Sequence, residues 1–166
     1  MNFGGAWHTD TSYVELPPKA TILYAIDVPA TGGDTLFADA TGAYAELSEG
    51  IKRTLENQQG IYSPKMVHGS GGHYAQVAAK QNLGEAYGGD NRFAEQEVTH
   101  PLIRTHSETG KKSIYCSKPH THRIDGWTRE ESVPIFTYLM KHMTQEKFVT
   151  RFKWRKGSLA MWDNRC

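Results

Sequence analysis

Cysteine is scarce in this chain: 166 residues hold two, Cys116 and Cys166. Their separation matches neither a metal-binding nor a redox spacing, so a reduced, cytoplasmic protein is expected. Long apolar runs are missing as well. No stretch of eighteen apolar residues occurs, so no membrane-spanning helix is expected. Met1-Asn2-Phe3-Gly4-Gly5 has neither a basic segment nor an apolar one, and does not read as a secretory signal. Excess charge is absent: 19 Lys and Arg face 18 Asp and Glu, a formal net charge of +1. That balance removes the electrostatic case for nucleic acid or an anionic membrane as partner. Internal repeats, low-complexity tracts and a convincing linker are also lacking, and the length suits one domain over residues 1–166.

What is present is a chain of short segments and many turns, with sixteen glycines, seven prolines and eight histidines. Trp7 to Val14 reads as extended, and Pro17-Pro18 breaks it. Ala20 to Val28 reads as a strand apolar on both faces, as in a buried strand, and Pro29 ends it. Thr31-Gly32-Gly33-Asp34 is a turn before a short strand at Thr35. Gly42 to Gln58 is helical, with Ser48 capping a second segment where Gly50 weakens continuity. Residues from about 60 to 97 are glycine-rich and read as a flexible, lid-like loop.

Val98 to Thr105 and Ser113 to Ser117 read as strands around the turn Glu108-Thr109-Gly110-Lys111. Thr128-Arg129-Glu130-Glu131 is a capping box. It opens a helix with Phe136, Leu139, Met140 and Met143 on one stripe. Phe148 to Trp154 alternates as a half-buried strand, and Ser158 to Trp162 follows as the next. The expected fold class is β-rich, a sandwich or barrel with helices packed outside.

The chemistry-bearing stretch is Trp7-His8-Thr9-Asp10. In an extended segment His8 and Asp10 project to one side. Imidazole and carboxylate together suit a divalent first-row metal, and two histidines with one carboxylate make the non-haem iron(II) facial triad. The pair alone is also common by chance. Thr35, taken alone, reads as an ordinary strand threonine. His120-Thr121-His122 has chelating spacing, but no nearby carboxylate completes a set before Asp125.

Several stretches together resemble the taurine dioxygenase group of iron(II)- and 2-oxoglutarate-dependent oxygenases, which includes the phenoxyalkanoate-herbicide dioxygenases. They are Trp7-His8-Thr9-Asp10, Pro17-Pro18, Thr31-Gly32-Gly33-Asp34-Thr35, His100-Pro101-Leu102 with Thr105-His106, Arg123-Ile124 and Trp162-Asp163-Asn164-Arg165. Their order and approximate spacing also fit, over nearly the whole chain. The resemblance implies a double-stranded β-helix, a cupin-like jelly roll with helical insertions. It implies that His8 and Asp10 are iron ligands and that Thr35 helps bind the distal carboxylate of 2-oxoglutarate. The implied reaction uses Fe(II), O2 and 2-oxoglutarate. It hydroxylates a small organic acid of the taurine or sulfonate, alkyl sulfate or phenoxyalkanoate type, and releases succinate and CO2.

In that group a second histidine ligand follows the Trp-Asp-Asn-Arg motif, and an arginine for the 2-oxoglutarate carboxylate comes later. Both positions fall beyond Cys166, so the chain resembles a partial domain whose isolated activity is expected to be nil or nearly so. His68 in the loop and His120 after the strand at Ser113–Ser117 are candidates to meet an anionic substrate headgroup. A homo-oligomer is compatible with this reading. The alternative is a non-catalytic cupin-like binding module. A zinc hydrolase ranks last, since no His-Glu-x-x-His motif occurs.

Overall fold

The computed structural model describes residues 5–69, 72, 73, 76 and 95–166, and the elements bounded within them are nine short strands, four α-helices and a 3-10 turn at Glu146–Phe148. The strands are β1 (Ala20–Tyr24), β2 (Thr35–Ala38), β3 (Gln59–Tyr62), β4 (Val98–Pro101), β5 (Ile103–Thr105), β6 (Lys112–Ile114), β7 (Thr121–Ile124), β8 (Val149–Phe152) and β9 (Leu159–Asp163). The helices are α1 (Ala40–Ala45), α2 (Glu49–Leu55), α3 (Lys65–His68) and α4 (Arg129–Met143). All pairings are antiparallel: β1 with β9, β2 with β8, β4-β3-β7 in one sheet, and β5 with β6. No helix among the described residues is long and apolar enough to cross a membrane.

Local chemistry explains the helix boundaries. Asp39 caps α1 by accepting from the backbone N–H groups of Thr41 and Gly42. Ser48 caps α2 at Ile51, which divides the helical stretch where expected. Thr128 and Glu131 form the capping box of α4 reciprocally. Phe136, Leu139 and Met143 of α4 are buried, and Met140 packs against the same core.

That core lies between helices and sheet. α1 packs on β6, and α4 packs on β7. Ile103, Ile114 and Ile124 of the sheets, with Leu102 between β4 and β5, meet Ala43, Leu47, Phe136 and Leu139. Because side chains alternate along a strand, the opposite sheet face is free for other residues. Tyr62, His100 and Tyr115 cluster there in mutual ring contact.

Three sequence expectations are corrected. Trp7 to Val14 is not one extended strand: the chain turns from Asp10 to Tyr13, and Val14 N–H donates to Thr11 O. Thr11 has a φ of 47°, the one positive value among described non-glycine residues. A β-branched side chain crowds the backbone there, so the turn is held against its own preference.

The strand from Ala20 ends at Tyr24, and it is exposed. Ile22, Leu23 and Tyr24 are 61%, 48% and 58% exposed. Apolar alternation tells a strand's type, but burial needs a layer on each face, and β1 pairs only with β9 among the described residues.

The loop expected from about 60 begins instead as ordered structure. Gly60 to Tyr62 lies in β3 between β4 and β7, and Lys65–His68 is helical. Gly60 sits where a Cβ would meet Leu102 and Tyr62 at 2.8 Å, so glycine there serves close packing rather than a loop. Residues 70, 71, 74, 75 and 77–94 of that stretch lie outside the described residues.

Candidate metal and co-substrate site

The turn at Asp10 brings His8 and Asp10 together, with His8 Nε2 3.2 Å from Asp10 Oδ1. His8 Nδ1 lies 2.7 Å from the Ala6 carbonyl oxygen. A carbonyl only accepts, so Nδ1 carries the proton, and the Nε2 lone pair of a neutral His8 faces the Asp10 carboxylate. Two electron-rich groups so placed call for a cation, either a proton or a metal ion. The electrostatics agree: Asp10 raises the His8 pKa, and His8 lowers that of Asp10. A backbone carbonyl that fixes the tautomer of a metal-binding imidazole is the usual support for such a ligand. The donor set therefore fits a divalent first-row metal.

Asp10 is held from the other side by elements distant in sequence. Thr21 Oγ1 donates to Asp10 Oδ2 at 2.7 Å. Asn164 Nδ2 in turn donates to Thr21 Oγ1 at 2.9 Å. The register of β1 and β9 places Thr21 opposite Trp162, and the Trp162 indole helps keep the Asp10 pKa low. Asn164 is buried, so this chain of hydrogen bonds is shielded from water.

Thr35 begins β2, beside aromatic residues. Phe37, two residues along β2 and so on the face of Thr35, lies 5.3 Å from the Trp162 ring. Thr35 Oγ1 accepts from Trp154 Nε1 at 2.8 Å.

His120 is buried beside the same turn. Its Nδ1 is 3.1 Å from Ser12 Oγ, and its ring is 6.5 Å from that of His8 and 4.8 Å from that of Tyr13. Burial, reinforced by His8 and His68, pushes the His120 pKa down to about 4. His68, at the end of α3, faces Tyr13 with ring centroids 5.9 Å apart. The sequence-derived candidates His8, Asp10, His68 and His120 thus gather around the segment from Thr9 to Tyr13. Behind them, His100 Nε2 lies 3.0 Å from the Val14 carbonyl, and burial lowers its pKa.

The rest of the Trp-Asp-Asn-Arg stretch does structural work. His106 Nδ1 accepts from the backbone N–H groups of Glu108 and Thr109, so its Nε2–H donates to Asp163 Oδ2 at 3.1 Å. Arg165 donates to the same carboxylate and to Glu108, and holds the Asp163 pKa well below the carboxylate range. His106, Asp163 and Cys166 offer ligand atoms within 4.8 Å of one another. Asp163 is already neutralised by Arg165, however, and the facing nitrogen of His106 bears a proton. Among the described residues His8 and Asp10 gain no third His, Cys, Asp or Glu at that range, His120 included.

Sequence reasoning missed Thr21, Trp154 and the separate roles of Trp162 and Asn164. Thr21 and Trp154 sit in strand-like stretches, and nothing in local periodicity marks either one. Trp162 and Asn164 were matched as parts of a motif, without the contacts they make.

Comparison with known proteins adds an independent line. The family model described as taurine catabolism dioxygenase TauD, TfdA family matches residues 1–166. The alpha-ketoglutarate-dependent 2,4-dichlorophenoxyacetate dioxygenase of Burkholderia sp. (strain RASC) is 37% identical over 161 residues, covering 96% of this chain and 50% of that protein. A taurine dioxygenase structure from Burkholderia xenovorans superposes with a TM-score of 0.76 at 31% identity, over 97% of this chain and 49% of the other. AAD-2, solved with Mn(II) and N-oxalylglycine, gives 0.74 at 31% identity, over 96% and 58%. The chain spans about half the length of the curated relatives it matches.

Proposed function

Because this chain belongs to the taurine catabolism dioxygenase TauD, TfdA family, we propose that it carries the His8–Asp10 part of an Fe(II) and 2-oxoglutarate site of a dioxygenase acting on a small organic acid. The observation that carries the reading is the His8 Nε2 to Asp10 Oδ1 approach of 3.2 Å, with the free lone pair of His8 directed at the carboxylate. His8 and Asp10 would hold the metal. Thr35 would donate a hydrogen bond to the distal carboxylate of 2-oxoglutarate. When bound, iron(II) would activate O2, the oxidant: one oxygen atom goes to 2-oxoglutarate as it is decarboxylated to succinate and CO2, and the other hydroxylates the substrate.

The chain's own residues orient and shield. Ala6 O keeps the His8 proton on Nδ1. Thr21 fixes one oxygen of Asp10, leaving the other toward His8. The buried imidazole of His120, held by Ser12 and the Thr9 backbone, stays neutral at physiological pH, and with His68 and Tyr13 it would line the substrate side without adding a permanent charge. The substrate class proposed is a sulfonate, an alkyl sulfate or a phenoxyalkanoate. Similar proteins are named for 2,4-dichlorophenoxyacetate and for taurine. A double-stranded β-helix is the architecture proposed for the strand pairs, and residues 1–166 are proposed as one domain, with its lid-like segment before Val98.

Calorimetric titration with Mn(II), an iron(II) surrogate stable in air, tests the site. Wild-type chain is expected to bind, and His8→Ala and Asp10→Asn each to weaken binding at least about tenfold. Equal affinity in all three proteins would place the metal elsewhere and end this reading.

A further inference from the structure

Thr35 and Trp154 meet where β2 begins and β8 has just ended. The ladder pairs Thr35 with Phe152, the last residue of β8, and Trp154 follows two residues on. The Phe152 ring meets the indole edge to face at 4.8 Å and limits its rotation. In that setting Trp154 Nε1 reaches Thr35 Oγ1 at 2.8 Å.

The chemistry of the two groups dictates the direction of this bond. An indole N–H only donates, whereas a hydroxyl has one proton and two lone pairs. Thr35 is therefore the acceptor, and its own proton is not used. No acceptor for that proton occurs among the described residues. Phe37 and Trp162 connect the same face of β2 to Asp10.

We propose that Trp154 is a positioning residue for the 2-oxoglutarate site: by occupying a lone pair of Thr35 it turns the Thr35 O–H outward as a donor to a carboxylate. The proposal rests on the reading of Thr35 given above. A threonine hydroxyl that is free to rotate presents lone pairs as readily as its proton, and lone pairs repel a carboxylate. With the indole donating to one lone pair, the O–H is kept from pointing at Trp154, and a carboxylate meets a donor that needs less reorientation. Loss of the indole N–H is expected to cost part of what loss of the hydroxyl costs.

The test is calorimetric binding of 2-oxoglutarate and of 2-oxopentanoate, which has the same chain but no distal carboxylate, to the Mn(II)-loaded full chain. Wild type, Thr35→Val, Trp154→Phe and the double variant are compared. Thr35→Val is expected to weaken 2-oxoglutarate about tenfold or more, and Trp154→Phe about threefold to tenfold. The double variant should match Thr35→Val alone, because the indole acts only through that hydroxyl. Affinity for 2-oxopentanoate should stay constant throughout.

A Trp154→Phe protein that binds 2-oxoglutarate like wild type overturns the proposal and leaves the Thr35 reading standing. So does an equal loss for 2-oxopentanoate, or additivity in the double variant. A wild-type chain that does not bind 2-oxoglutarate, or Thr35→Val without effect, ends both. Should Trp154→Phe not fold, the Trp154 Nε1–H resonance of the wild type serves instead. It is expected to shift with 2-oxoglutarate and not with 2-oxopentanoate, and equal response to both ligands overturns the proposal.

Discussion

Asp10 takes its geometry from Thr21, eleven residues on, and from residues at the far end of the chain. Its Oδ2 accepts from Thr21, which accepts from buried Asn164, and the Trp162 indole lies against it. Thr21→Val keeps the shape and removes the hydroxyl. Asn164 Nδ2 then loses its acceptor and Asp10 loses its donor, at a cost of about 1–3 kcal/mol for the unpaired buried amide. Partners of a metal ligand typically contribute tenfold to a hundredfold in metal affinity. Mn(II) titration of Thr21→Val is therefore expected to show a loss of about tenfold, without loss of fold by circular dichroism. An unchanged affinity would show that Asp10 is oriented by the turn at Thr11 alone.

At the scale of elements, α4 ties the helical layer to the sheet. Its capping box fixes where it starts, Ser132 Oγ donates to Thr128 O and accepts from Ile124 N–H, and Leu139 is fully buried against the sheet core. Leu139→Ala is expected to cost about 2–5 kcal/mol in urea unfolding, since the site cannot collapse between α1 and the sheet. A loss below about 1 kcal/mol would mean that this layer packs loosely. Element types were legible in the sequence wherever a capping residue, a periodic face or a turn sufficed: α2 from Ser48, α4 from Thr128 and Glu131, β8 from alternation, and β9 as the strand after the turn at Lys156-Gly157. Boundaries were less so. The stretch from Val98 divides at Leu102 because β4 pairs with β3 and β5 with β6. That change of partner leaves no trace in local hydrophobicity.

Across the whole molecule, burial of histidine couples stability to pH. His100, His120 and His122 are all held below the ordinary imidazole range by burial, His120 at about 4. The unfolded chain protonates these positions near pH 6.5, while the folded chain resists. Unfolded chains thus bind more protons, and stability falls as pH drops from about 6.5 toward 4. For His120, which is 5% exposed, the lost contribution is about 3 kcal/mol. His8, raised by Asp10, works in the opposite sense: its contribution grows as pH falls toward 6.5, is full below it, and is lost as pH rises through its raised folded pKa. Urea midpoints at pH 7.5 and 5 are expected to fall for wild type and to fall less for His120→Gln. A midpoint that rises on acidification would show that the His8–Asp10 pair dominates. At this scale too, the ribbon of β1 and β9 presents Ile22, Leu23, Tyr24, Leu159 and Met161 to solvent.

The sequence by itself determined what depends on neighbours within a few residues. The His8-x-Asp10 pair, the glycine turn before Thr35, the caps of α2 and α4, and the apolar stripe of α4 are of this kind. Each follows from spacing and side-chain chemistry. Tertiary structure decided what depends on residues a hundred or more positions apart. It brought Asn164 onto Thr21, the partner of Asp10, and gave Trp154 to Thr35. It set His120 against Ser12 and Tyr13, and left β1 exposed. The reason is physical: a strand's pattern states which side chains share a face, but the identity of the facing strand, its register and the layer above it are set only when the chain closes on itself.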